Sequence, residues 1–357
     1  YPHASFFGIG GPEMIAAGLE SIEPIETLSI MGLVEILKDL PQLFKVKRRL
    51  VELAAERAPI CFIGIDAPDF NLRLSKDLKR QNITTFQYVS PSVWVWREGR
   101  VKTIRKNIDR VLCLFPFEVE FYKKHRVDSV CVGHRLGDEI PLINDESAAK
   151  SALDLSEDQE YLALLPGSRR GEISRLLPVF LDSISLIAEQ SPGLEYLIPA
   201  ATPKIHDLIA DALSVLPSHL QTKIHLYQGH SREIMSASKA VVLASGTAAL
   251  EAMLLKKTMV VCYKFSGFTA WLAPKIVNIS HFSLPNILAK EPLVTELFQA
   301  EVTPENIAKE VVSMLADSAE NAAKRAKFLE IHETLRLNSD VAAKDAVVEL
   351  LTTRGVL

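Results

Sequence analysis

Cysteine is scarce: the 357 residues hold four, Cys61, Cys113, Cys131 and Cys262. None stands at C-x-x-C spacing, which excludes the common zinc and redox motifs. Each lies in an apolar, strand-like run, where a reduced thiol serves as a small core residue. Long hydrophobic runs are lacking as well. No stretch is apolar enough over ~20 residues to span a bilayer, and no signal peptide is expected. Aromatic residues amount to 7%, while hydrophobic residues reach 48%, a balance that fits a cytosolic α/β protein. The net charge of -4 supplies no overall field to draw nucleic acid, although local basic clusters remain. The length exceeds one typical domain, and two are expected.

The most informative stretch is residues 161–180. Residues 161–165 form a short, almost unbroken apolar run, as a strand buried on both faces would. Pro166 and Gly167 stop it. Ile173, Leu176, Leu177 and Phe180 then recur at helical spacing. The loop between holds Gly167, Ser168, Arg169, Arg170 and Gly171. Free N–H groups at a helix start attract phosphate, and a guanidinium beside them binds its oxygens in pairs. The loop reads as the diphosphate grip of a nucleotide-sugar site, with Arg169 as the main cation. By itself it fits an ordinary βα turn with surface arginines equally well.

Upstream, residues 4–9 read as a strand, followed by Gly10, Gly11 and a helix opened by Pro12. The glycine pair would let backbone approach a ligand, or simply turn the chain. Residues 28–50 carry more apolar side chains than one helical stripe needs, Met31, Leu33, Val34, Ile36 and Leu37 among them. Lys45, Lys47, Arg48 and Arg49 follow. Such a segment suits a membrane surface, but the residues alone favour a helix buried on two sides with a solvated basic end.

Residues 60–65 form the next strand and end in Asp66-Ala67-Pro68-Asp69. A carboxylate at the C-terminal end of a parallel strand faces the ligand crevice of an α/β protein. Asp66 is therefore placed as a general base, while Asp69 is expected to cap the helix 70–80. After the strand 84–89, Ser90 and Trp94 stand in a loop suited to a sugar or acyl chain, or to a core anchor. The helix that follows is basic, with Arg97, Arg100, Lys102, Arg105, Lys106 and Arg110, and either faces anionic lipid or is solvated. Strands at 111–115 and 129–132 complete this half. His134, just after, is either a diphosphate donor or a structural histidine.

The polar residues 137–151 read as a linker. Beyond them come strands at 161–165, 194–198, 223–227, 240–244 and 259–263, separated by helices. Two successive βαβ series imply two doubly wound parallel-sheet domains with a cleft between them. Past Pro304 the pattern is helical. Ala244-Ser245-Gly246-Thr247 is a second strand–loop–helix start with small residues, and Glu251 shares a helix face with Thr247. A carboxylate there suits ribose hydroxyls, and Gly229 follows another strand at the same edge. Two such loops in one domain raise the nucleotide reading above a tightly packed helix alone.

The stretches I-G-G-P-E-M, M-G-L-V-E-I-L, I-G-I-D-A-P-D-F-N, Y-V-S-P-S-V-W-V-W-R, F-P-F-E, V-G-H, L-L-P-G-S-R, A-S-G-T-A-A-L-E and S-L-P-N occur in that order. This set resembles the lipid-A-disaccharide synthases, inverting glycosyltransferases of the GT-B fold. The resemblance implies a UDP-2,3-diacylglucosamine donor, a 2,3-diacylglucosamine 1-phosphate acceptor, and a β-1,6-linked disaccharide 1-phosphate and UDP as products, in lipid A biosynthesis of Gram-negative cells. It makes Asp66 the base and Arg169 the cation on the UDP-sugar. It adds Asn286 to the nucleotide site, beside Gly167, Ser168, Gly229, Ser245, Gly246, Thr247 and Glu251, which the loops themselves point to. From their places in the chain, Gly10, Gly11, Ser90, Trp94 and His134 are expected at the acceptor or cleft. The resemblance also turns residues 31–37 into a membrane contact, so the enzyme is expected at the cytoplasmic face of the inner membrane.

The same resemblance divides the chain into an acceptor and membrane domain (1–140), a donor domain (151–330) and a helical tail (331–357). The tail is expected to pack on the first domain or on a partner subunit of a homodimer. No cofactor and no metal is expected, since the chain has no D-x-D, and nucleic acid is not a partner. The family's first strand and G-E-x-S-G-D loop are expected to be missing, and Arg135 replaces its usual Pro or Thr. Two rival readings are a UDP-sugar epimerase of the same fold and a non-catalytic UDP-sugar-binding fragment. The apolar and basic segment 28–49 argues against an epimerase.

Overall fold

The computed structural model describes residues 3–28, 33–91, 93, 98–264 and 281–357, with backbone alone for 33–40 and 98. Two units emerge: Tyr1–Val132 with Asp340–Leu357, and Gly133–Ser339.

In the first unit β1 (Phe6–Gly8) leads through the glycine pair to α1 (Pro12–Ala16), with Pro12 in the first turn as expected. β2 (Leu19–Ser21) pairs with β1 in a separate parallel ribbon, too short and polar to show as a pattern. α2 (Leu33–Arg57) continues past Pro41 beyond the expected limit. Then follow β3 (Cys61–Ile65), α3 (Pro68–Lys79), β4 (Thr84–Tyr88), α4 (Val101–Asn107), β5 (Arg110–Cys113), α5 (Pro116–Lys124) and β6 (Ser129–Cys131). The four strands β3 to β6 pair in chain order, all parallel. Among the described strands of this sheet there is thus no reversal of order. Ala54 packs with Leu74, Leu78 and Ile83, which seats α2 and α3 together.

The second unit opens with α6 (Arg135–Glu139) and α7 (Glu146–Ala152), in the stretch read as a linker. That reading is corrected. Asp145 caps α7 by accepting from Ala148 N–H at 2.9 Å, and Lys150, buried, pairs with Glu146 at 3.2 Å. Polar composition concealed helices held by capping and ion pairing rather than by an apolar stripe. Next come β7 (Tyr161–Leu165), α8 (Arg170–Gln190), β8 (Glu195–Ala200), α9 (Pro203–Leu213), α10 (Ser218–Gln221), β9 (Ile224–Gln228), α11 (Ser231–Ala237), β10 (Ala240–Ala244) and α12 (Thr247–Leu254). β11 (Thr258–Tyr263), α13 (Leu284–Ala289), β12 (Thr295–Phe298), α14 (Pro304–Leu315) and α15 (Ala319–Leu335) complete it.

The sheet order is β12-β11-β10-β7-β8-β9, wholly parallel. Every residue of β7 and β10 is buried, which is why both read as unbroken apolar runs. Ile173, Leu176, Leu177, Phe180, Ile184 and Ile187 of α8 enter the main core at the predicted spacing. Each such side chain contributes about 1.5–3 kcal/mol. The chain runs outward from β7 to β9, returns, and runs outward again from β10. The reversal lies between β7 and β10, where α/β sheets open a crevice at the strands' C-terminal ends.

The last helix, α16 (Ser339–Thr353), belongs to the first unit. Leu350 and Leu351 pack with Phe86, and Ala346 with Leu112 and Val132. Arg354 Nη2 donates to Asp109 at 2.7 Å and Arg110 Nη1 to Glu349 at 2.6 Å. Burial alone would raise the Asp109 carboxyl, but Arg354, the Thr85 N–H and Lys79 outweigh it and hold it at about 2. None of the four cysteines forms a disulfide. Burial pushes the thiols of Cys61 to about 11 and Cys262 to about 12, as suits core residues.

Candidate functional site

At the switch point the loops after β7 and β10 stand side by side. Gly167 has φ +112°, and a Cβ there would lie 3.6 Å from Ala244 Cβ and 2.7 Å from Glu172 Oε2. Only glycine suits both the conformation and the space. Arg169 is the N-cap of α8 and Gly246 that of α12, and neither supplies a side-chain acceptor. The first N–H groups of both helices therefore have neither an intrahelical carbonyl nor a capping oxygen. α9 differs: its Thr202 caps Ile205 N–H. Ser245 and Thr247 flank the second start, and their hydroxyls have no hydrogen-bond partner among the described residues. The two predicted loops thus meet as one polar, uncapped rim carrying two helix dipoles.

Arg169 is exposed and held loosely by Glu172, one turn on, at 3.7 Å. Burial raises the Tyr263 phenol above its ordinary value, with Glu172 adding to the rise and Arg169 and Arg175 opposing it. Arg175 Nε donates to the Lys264 carbonyl at 3.0 Å. Glu172, Arg175 and Tyr263 escaped the sequence reading. The signal for Glu172 was present, since it lies three residues from Arg169 on the same helix face. Glu251 is half-buried and faces Arg232 Nε at 3.6 Å. Burial raises its carboxyl, while Arg232 partly counters this. Gly229 turns the chain after β9 with φ +78°. Its strand is two removed from β7, about 10 Å along the sheet.

In the first unit Asp66 stands at the C-terminal end of β3, exposed, with φ +48°. Its carbonyl accepts from Asn71 Nδ2 at 2.8 Å and from Gln87 Nε2 at 3.0 Å. Gly64 makes this possible, because a Cβ there would meet Asn71 Cβ at 2.9 Å. The backbone of Asp66 is fixed while its carboxylate has no partner among the described residues. Asp69 is not the cap expected of it. Ala67 is the N-cap of α3, and Asp69, already in the first turn, pairs with Arg100.

Other predicted residues serve the fold in this structure. Ser90 is buried, its hydroxyl 3.0 Å from the Tyr122 phenol oxygen. His134 caps α6, Nδ1 accepting from Leu136 N–H at 3.1 Å, and burial lowers its pKa. Asn286 is buried and exchanges two hydrogen bonds with the backbone of Val294. Gly10 packs against Leu19 and Met14, while Gly11 has Ile25 nearby. Arg135 pairs with Glu139 on α6 at 2.5 Å. Met31 and Trp94 lie outside the described residues, as do the side chains of Leu33, Val34, Ile36 and Leu37. In the basic cluster Lys47 is tied to Asp77 at 2.7 Å. Among the described residues no group of three or more acidic, His or Cys side chains is arranged to hold a metal, and no helix is long and apolar enough to cross a membrane.

Residues 1–348 match the family described as Lipid-A-disaccharide synthetase. A lipid-A-disaccharide synthase of Chromohalobacter salexigens is 47% identical over 351 residues, covering 98% of this chain and 90% of that protein. One of Acinetobacter baylyi is 49% identical over 321 residues, 87% and 81% of the two. Among solved structures, a UDP-GlcNAc 2-epimerase of Neisseria meningitidis bound to UDP-GlcNAc aligns with a TM-score of 0.60 at 15% identity, over 94% and 86% of the chains. That likeness is one of fold, the GT-B architecture, and brings no epimerase activity with it. By the family match and the relatives that are nearly half identical over almost its whole length, the chain belongs to the lipid-A-disaccharide synthases and is a glycosyltransferase of lipid A disaccharide synthesis.

Proposed function

We propose that the chain transfers 2,3-diacylglucosamine from its UDP carrier to the 6-hydroxyl of 2,3-diacylglucosamine 1-phosphate, with inversion to a β-1,6 linkage. The observation that carries this reading is the pair of uncapped helix starts, α8 and α12, at the β7/β10 reversal. Their amides and Arg169 take the diphosphate, and Ser245 and Thr247 add hydroxyl donors. As the sugar–oxygen bond breaks, negative charge grows on the departing UDP, and these donors stabilise it most at that moment. Glu251 orients the ribose. Asp66 accepts the proton of the attacking hydroxyl, general-base help worth ~10²–10⁴-fold. The fixed backbone and open carboxylate of Asp66 support that role. Asn286, with its amide engaged, acts by holding the 284–294 turn in shape.

The substrates carry acyl chains, so the enzyme works at an anionic bilayer surface. Residues 31–37 with Lys45 and Arg49 provide the contact, on the cytoplasmic face of the inner membrane. Mass spectrometry of products from the two acylated glucosamine substrates tests the proposal. A disaccharide phosphate formed only when both are present is the expected result. Epimerised or hydrolysed donor without acceptor-dependent product would overturn it.

A further inference from the structure

In the first unit several cations are neutralised, while others, Lys45, Arg49, Arg73 and Lys76 among them, have no ion pair among the described residues. Lys47 pairs with Asp77, Arg57 with Glu20, Lys79 with Asp109, and Arg110 with Asp128 and Glu349. The contrast lies where α4 runs beside the end of α5. Lys102, Arg105, Lys124 and Arg126, together with His125 and Gly99, line one open cavity of about 380 Å³. None of those four Lys and Arg side chains has an ion pair or hydrogen bond among the described residues.

The arrangement follows from the local structure. Lys102 and Arg105 are three residues apart and share a face of α4. Lys124 is the last residue of α5, and Arg126 stands in the left-handed turn that closes it, at φ +56°. Arg126 N–H donates to the Lys123 carbonyl at 3.2 Å and Val127 N–H to the Tyr122 carbonyl at 3.1 Å. Those two carbonyls of the helix end are therefore already satisfied. Four like charges around one cavity repel each other, and salt screens such repulsion only beyond a Debye length of ~10 Å. A multiply charged anion removes that cost. Two guanidinium forks and two ammonium groups offer more donors than a single carboxylate accepts, and they match the oxygens of a phosphate.

We propose that this cavity binds a phosphate-class dianion, either inorganic phosphate or a phosphomonoester. It is carried by the first unit, whereas the diphosphate loops belong to the second. The inference rests on the cavity alone and stands apart from the transferase reading.

The test is equilibrium dialysis of labelled inorganic phosphate against the full chain and a triple variant, Lys102→Gln, Arg105→Gln and Arg126→Gly. The first two positions are exposed on a helix, and glycine suits the left-handed φ, so the fold is expected to hold. Saturable phosphate binding in the parent should lose this component in the triple variant. Arg126→Gly alone, the gentler change, should weaken it roughly tenfold, the loss of one charge-assisted contact of about 1.4 kcal/mol. Equal binding by parent and both variants, or none by the parent, overturns the proposal. A second arm adds vesicles of phosphatidylcholine with or without phosphatidic acid. Displacement of phosphate by the phosphatidic acid vesicles alone assigns the site to a lipid headgroup, and lack of displacement assigns it to a soluble phosphate.

Discussion

Gly167 lacks a side chain where the Glu172 carboxylate requires the room: a Cβ on Gly167 would lie 2.7 Å from Glu172 Oε2. Glu172 in turn is the acidic neighbour of Arg169, at 3.7 Å. Loop conformation and guanidinium position are therefore coupled through one carboxylate, in the first turn of α8.

Gly167→Ala should distort this loop. The left-handed φ costs an alanine about 1–2 kcal/mol, and the methyl must displace Glu172. We expect UDP affinity, read by calorimetry, to fall by at least about tenfold while the thermal midpoint drops only a few degrees. Unchanged affinity would remove the loop from the donor site.

Arg169→Ala should spare the fold, because the side chain is exposed and its one ion pair is long. Initial-rate measurements should show turnover reduced by about 10²–10³, the cost of losing a donor to developing charge. Wild-type turnover would exclude that role.

Acid stability should report the docking of α16 on its sheet. The folded Asp109 carboxyl titrates at about 2, below its ordinary 3.8. A depressed carboxyl stabilises the fold fully above about pH 4, and this is lost as pH falls through about 2. Urea melts should place Asp109→Asn about 2 kcal/mol below the parent at pH 7, with the gap closing towards pH 2. A gap independent of pH would mean that the ion pairs with Arg354 and Lys79 contribute nothing.

Val34→Ser with Leu37→Ser should raise the soluble fraction in vesicle sedimentation and leave UDP binding intact. Lys45 and Arg49 have no ion pair among the described residues. Such basic residues add ~1 kcal/mol each near an anionic surface, so high salt should also release the parent. Sedimentation of the double variant equal to the parent's would place the docking surface elsewhere.

Local periodicity carried far in this chain. β7, β10 and the buried stripe of α8 follow from runs of one residue class, and burial on both faces leaves no alternation to misread. The two glycine loops were legible because the same strand–loop–helix pattern occurs twice. Other features depend on partners far away in sequence. Asp109 meets Arg354 across 245 residues, and nothing near either residue announces the other. Ser90 and Asn286 lie in motif stretches, yet their polar atoms turn inward to Tyr122 and Val294. A motif marks the segment, while the direction of a side chain is set by packing. Residues 137–151 misled because capping and ion pairing, not an apolar stripe, hold α6 and α7.

The most direct measurement is the paired determination of UDP affinity and acceptor-dependent turnover in Asp66→Asn. The asparagine keeps the shape and the backbone contacts to Asn71 and Gln87 and removes the base. The account predicts UDP binding like the parent's with turnover lowered ~10²–10⁴-fold. Turnover near the parent's, or a fall in UDP affinity as large as the fall in turnover, would contradict it.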